Sequence, residues 1–151
     1  MKKLVFVLLG VIGYLTVAYA QVAIEREYNS KYQQEVCGDD YECSAYEDFI
    51  PNVDILEAFK QDLQKEIKFP KYDVRALIYR QIITMNLPND NESLKKTIVI
   101  TVESGDLDVK IELTRSKNRL VAIYIVEAEE SIKTYIKTPN GVKILNKTSM
   151  L

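Results

Sequence analysis

Histidine is absent from the 151-residue sequence, and cysteine occurs only twice. Without an imidazole, neither cysteine has the basic partner that makes a catalytic thiolate. Two cysteines and no histidine also make a poor zinc set. The acidic residues in and around C-G-D-D-Y-E-C, between Cys37 and Cys43, lack the spacing of an EF-hand calcium loop. Glycine is scarce, at five residues, and no glycine-rich phosphate loop occurs. Basic charge is not in excess. The net charge is −2, and it becomes more negative if Lys2 and Lys3 are lost with a leader. The chain therefore has no overall basic field to draw it to RNA or DNA. No metal and no cofactor are expected.

What is present starts with an export pattern. Met-Lys-Lys is followed by an apolar run from Leu4 to Val17 and then by Ala18-Tyr19-Ala20. A basic start, a short apolar stretch and small residues before a cleavage point are the three parts of a secretory signal. The run is shorter than the roughly 20 residues that cross a bilayer. Residues 1–20 are thus expected to be a signal peptide, with Gln21 the first residue of a secreted, extracellular or periplasmic protein that no longer contacts membrane. In that setting Cys37 and Cys43 are expected to form one disulfide closing a small loop. A loop this short contributes roughly 2 kcal/mol in the chain-entropy account. Asn91-Glu92-Ser93 and Asn146-Lys147-Thr148 match the N-glycosylation pattern, which has meaning only in a eukaryotic secretory pathway.

Residues 21–45 read as an extended segment carrying the disulfide loop, and residues 46–151 as one α+β domain. A strand is expected near Tyr46–Ile50. Pro51-Asn52 then opens a helix over Asn52–Ile67, with Asn52 as its cap and Asp54 in its first turn. Ile55, Leu56, Phe59, Leu63 and Ile67 form its apolar stripe, while Lys60, Asp62, Gln64, Lys65 and Glu66 face water; Pro70 stops it. Tyr72–Leu87 fits a helix or a strand equally. From Thr97 the period becomes two. Ile98, Ile100 and Val102 share a face, as do Val109, Ile111 and Leu113. Ile132, Thr134 and Ile136 alternate with Lys133, Tyr135 and Lys137, and Val142–Leu145 closes a short last strand. The expected fold is an antiparallel meander, with a mixed edge, packed on one amphipathic helix. Leu120–Val126 is apolar on both faces and needs cover on both. Either Tyr72–Leu87 is a second covering helix, or one face awaits a partner.

The order of these features resembles the N-terminal sheet of ribosome-inactivating proteins, the ricin A-chain and Shiga toxin A-chain class. The residues that carry the likeness are Y-E-D-F-I, the helix V-D-I-L-E-A-F-K-Q-D-L-Q-K-E-I, then F-P-K-Y-D-V-R-A-L-I-Y, K-K-T-I-V-I-T-V, L-D-V-K-I-E-L and N-R-L-V-A-I-Y. The likeness spans roughly Tyr46 to Ile136. It implies a translation-inhibiting rRNA N-glycosylase, a hydrolase that removes an adenine from large-subunit ribosomal RNA, with the ribosome as partner. Tyr124 ends the strand motif and by resemblance stacks on the adenine, with the backbone of Ile125 beside it. An aromatic face gives roughly 1–3 kcal/mol of stacking per base. The family's second tyrosine has no match here, since Tyr135 is not at the expected place. Its catalytic Glu-x-x-Arg does not occur in the sequence. The resemblance therefore implies a truncated toxin, with no catalytic residue, that does not depurinate alone. A second polypeptide would then cover the open sheet face.

The same elements suit a small secreted binding or inhibitor module with a cystatin-like or NTF2-like layout. The cystatin Gln-x-Val-x-Gly loop is missing, and T-V-E-S-G is only a faint echo of it. An exported structural protein with no ligand is the third reading.

Overall fold

A computed structural model describes residues 31–68 and 73–151. The signal peptide expected at residues 1–20 and the helix stop expected at Pro70 lie outside the described residues. Six strands form one sheet: β1 (Cys43–Pro51), β2 (Ser93–Val102), β3 (Gly105–Ser116), β4 (Arg119–Val126), β5 (Glu129–Thr138) and β6 (Gly141–Met150). Two helices, α1 (Ile55–Ile67) and α2 (Val74–Ile82), separate β1 from β2. A further helical stretch at residues 31–37 precedes β1, where an extended segment was expected. Cys37 and Cys43 form the disulfide, with Cα atoms 5.5 Å apart.

The sheet order is β1-β6-β5-β4-β3-β2. β2 to β6 are therefore a meander, and β1 joins its far side by pairing with β6. All five pairings are antiparallel, so neither edge is mixed. The last strand is longer than Val142–Leu145 because β1 gives it a partner along its whole length. At the β5–β6 turn the chain comes very close to β1. A Cβ on Gly141 would lie 2.2 Å from the Ile50 carbonyl oxygen, and its φ of +151° is open only to glycine.

The α1 cap is Asp54, whose carboxylate accepts the Glu57 N–H at 2.8 Å. Asn52, the expected cap, instead turns the chain with φ 58°. Within the ambiguous Tyr72–Leu87 stretch, Val74–Ile82 is helix, which is α2. Asp73 caps it, accepting the Arg75 N–H at 2.8 Å. Among the described residues α1 and α2 thus both pack on the same face of the sheet, where one covering helix was expected. Phe59 and Leu63 of α1 and Ile78, Tyr79 and Ile82 of α2 close over Ile111, Leu113, Leu120, Ala122 and Ile144.

α1 and α2 leave the second sheet face open, and the 31–37 helix meets it only at its β1 end, where Cys43 and Ala45 are buried. Its middle carries Val121, Ile123 and Ile125 of β4 and Ile132 of β5, all half-buried. Val99 and Phe49 are open to solvent near its two edges. Charged pairs frame the apolar strip, Lys95–Glu112 at 3.0 Å on one side and Lys143–Glu47 at 2.6 Å on the other.

Candidate functional site

Register decides which side chains meet beneath the helices. Directly opposed residues of an antiparallel pair share a face. Ala122, Lys133, Asn146 and Tyr46 form one such row, and Tyr124, Ser131, Thr148 and Ser44 the next. The β5 face turned toward the helices is therefore the one bearing Lys133 and Tyr135. Ile132 and Ile136 lie on the other side.

Burying a lysine demands partners, because an unpaired ammonium in the interior costs several kcal/mol. Lys133 is 4 % exposed. Its Nζ donates to Asp62 Oδ2 at 3.0 Å and to Asn146 Oδ1 at 2.8 Å, and lies 3.6 Å from Glu66 Oε1. It also stands 5.7 Å from the centre of the Tyr79 ring, within cation–π range. Tyr135 donates its hydroxyl to the same Asp62 oxygen at 2.7 Å. Asp62, expected to face water, is buried at the centre of this network. The reason is its place in the helix: Ile55, Phe59, Asp62 and Glu66 recur at four, three and four residues, so Asp62 sits on the packing stripe.

The electrostatics follow. Burial pushes the Tyr135 phenol well above its ordinary range, and the Asp62 carboxylate adds to the effect. Burial likewise raises Tyr124 and Tyr79, with the neighbouring phenols and carboxylates reinforcing it. All three stay neutral hydroxyls at any physiological pH. Asp62, Glu66 and Asn146 surround the Lys133 Nζ and fix its position. The network is suited to holding groups in place rather than to bond making.

One consequence is an oriented amide. An ammonium can only donate, so Asn146 must present its oxygen to Lys133. Its Nδ2 donor then points away and has no partner in the protein. Asn146 lines a recess of about 150 Å³ together with Tyr46, Glu66, Arg75, Tyr79 and Lys133. A larger cleft, about 360 Å³, lies on the other side of Tyr79. Its walls include Val74, Ile78, Leu107, Tyr124, Val126 and Ser131. Arg75, Tyr79 and Ser131 border both spaces. Arg75 also reaches Glu129 at 3.5 Å across the opening.

Tyr124 lies in the core rather than on the surface. It is 2 % exposed, and its ring meets that of Tyr79 edge-on at 5.5 Å. A ring packed in this way has no face open to a base. Its hydroxyl is buried with no protein partner, and the residue also borders the larger cleft. Ile125 lies on the opposite, uncovered face of the sheet. Of the two glycosylation patterns, Asn91 is exposed in a turn, whereas Asn146 is buried and bonded to Lys133, where a glycan has no room. Among the described residues no group of three or more Cys, Asp or Glu side chains is placed to hold a metal ion.

Comparison with protein-family models, with curated proteins and with solved structures finds no match to this chain.

Proposed function

We propose that this chain is a small exported binding module that takes a low-molecular-weight ligand in the cleft between α2 and the sheet. The observation that carries the reading is the cleft itself, a space of about 360 Å³ with Val74, Ile78, Leu107 and Val126 in its walls and charged residues at its border. Ligand sites are characteristically concave spaces of about 300–1,000 Å³, apolar with a few placed polar groups. Export rests on the signal pattern at residues 1–20 together with the Cys37–Cys43 disulfide, a bond favoured outside the cytosol. No helix among the described residues is long and apolar enough to cross a membrane.

Chemical-shift mapping with a mixed set of small fragments tests the reading. Perturbations should cluster on Val74, Tyr79, Tyr124 and Val126. Shifts confined to the open sheet face, or scattered over the surface, would remove the support for the cleft. Adenine removal from ribosomal RNA, which the resemblance implies, has its own test. Ribosomes incubated with the chain are probed for abasic sites, and depurination would displace the binding reading. Stacking by Tyr124 would require α2 to lift from the sheet and separate the Tyr79–Tyr124 ring pair.

A further inference from the structure

The two ends of the sheet are finished differently. At β1 the Gln33 amide bonds both the Ala45 N–H and the Cys43 carbonyl, so that edge is occupied. β2 is the other end strand, and among the described residues only β3 pairs with it. Register shows which of its backbone groups are open. The Arg115 N–H donates to the Glu92 carbonyl, so the odd-numbered residues of β3 are those bonded toward β2. Their partners on β2 are the even-numbered residues from Leu94 to Val102. Bonding direction alternates along a strand, so the N–H and C=O groups of Lys95, Thr97, Val99 and Thr101 point outward. The Val99 carbonyl agrees, since it accepts from Gln81 Nε2 at 3.3 Å. That bond leaves the second lone pair of the oxygen and the outward N–H groups open to a strand. Natural sheets blunt such an edge with proline, a bulge or spread charge. β2 has no proline, its pairing with β3 runs unbroken, and its two lysines, Lys95 and Lys96, stand toward one end. Thr97 to Val102, T-I-V-I-T-V, is β-branched and uncharged throughout, the composition that pairs most readily. Val99, in its middle, is 53 % exposed.

The order of the residues says what fits this edge. T-I-V-I-T reads the same in both directions about Val99. We propose that β2 pairs antiparallel with β2 of a second copy of this chain, about a two-fold axis at Val99. In that register Val99 meets Val99, and Thr97 meets Thr101, Ile98 meets Ile100 and Lys95 meets Glu103 on each side of the axis. Opposed threonines and opposed unlike charges are favourable cross-strand pairs. Moving the axis to Ile98 or Ile100 sets Lys95 against Thr101 or Gly105 and loses the charge match. Ile98 and Ile100 of both copies then continue the face under the helices, and Lys95, Val99 and Glu103 the open one. The contact is the same patch on both copies, so it closes at a dimer. The far edge, held by Gln33, does not extend it into a fibre. The pairing is separate from the cleft under α2.

A contact limited to one pair of strands is of the small, weak kind, so the test spans about 10 μM to about 1 mM of the whole chain. Sedimentation should show a dimer growing over that range. Amide exchange at Thr97, Val99 and Thr101 should slow with it. Glu103→Lys sets lysine against Lys95 at both ends of the pair and should weaken the dimer about tenfold. Adding Lys95→Glu restores unlike charges and should recover it. Both positions are exposed, so these variants should fold as the parent does. A chain that stays monomeric at about 1 mM overturns the proposal. So does a dimer whose Thr97, Val99 and Thr101 amides exchange as fast as in the monomer, because its contact lies elsewhere. A double variant that associates no more tightly than Glu103→Lys overturns the register, and the pairing with it. Each of these results leaves the reading of the cleft as it was.

Discussion

Lys133 has a bonding partner or a close carboxylate for each of its three N–H groups, and Asp62 is the partner it can least do without. Asp62→Ala leaves the ammonium and the Tyr135 hydroxyl without their shared acceptor in the interior. Breaking a buried pair by removing one member costs about 3–5 kcal/mol, and urea denaturation should show a loss of that size. Replacing the trio together, as Asp62→Leu/Lys133→Met/Tyr135→Phe, should recover most of it, because no charge is then stranded. If the single change costs under about 1 kcal/mol, the pair is not the buried one described. The phenols give a second prediction. Tyr79, Tyr124 and Tyr135 have raised pKa values in the folded chain, against about 10 when unfolded. The unfolded state therefore releases these protons first. Stability from this source is complete below pH 10 and falls as pH rises through and beyond it, by up to about 1.4 kcal/mol per unit for each phenol. Denaturation at stepped alkaline pH, with phenolate absorbance as the readout, should show a steep loss and a set of tyrosines that ionise only on unfolding. None of this network was legible from composition. A charged residue between apolar ones reads as a wet face, and Lys133 and Asp62 are 71 positions apart. The one local signal was the spacing that puts Asp62 in line with Ile55 and Phe59.

At the scale of elements, the strands from β2 onward were legible because alternation with turn residues between is a strong local pattern. The α2 helix was not, since its apolar residues fit both periods and its cap, Asp73, is visible only once the helix is known. The 31–37 helix was missed for a different reason: it is polar, and what it does is tertiary. The Gln33 side-chain amide accepts the Ala45 N–H at 2.6 Å and donates to the Cys43 carbonyl at 3.1 Å. It bonds the outer edge of β1 as another strand would, which protects an edge that could otherwise pair with a second chain. The disulfide ties the end of this helix to the first residue of β1. Gln33→Ala should therefore speed hydrogen exchange at the Ala45 amide and leave exchange in β3 and β4 unchanged. Reduction of the disulfide should do the same and lower stability by roughly 2 kcal/mol. Unchanged exchange at Ala45 in both would mean that the helix does not hold the edge.

For the molecule as a whole, the sheet divides the chain into a sealed half and an open half. Both α1 and α2 lie on the first face, and the 31–37 helix reaches the second only at its β1 end, so the middle of the second face has no helix over it among the described residues. β4 shows the division within one strand, with Leu120, Ala122 and Tyr124 sealed and Val121, Ile123 and Ile125 half-buried. The same substitution on opposite faces measures how open the second half is in solution. Ile111→Ala, in the core, should cost about 2–5 kcal/mol. Ile123→Ala removes the same atoms from a half-buried place on the neighbouring strand, so it should cost at most about half as much. Both lose the β-branched side chain, so strand preference cancels in the comparison. Equal costs would mean that something covers the open face. Measuring both variants at low and high protein concentration identifies it, because cover by a second copy makes the unfolding midpoint rise with concentration. A smaller loss for Ile123→Ala with a midpoint independent of concentration leaves the face free, and its framed apolar strip then has room for a different polypeptide.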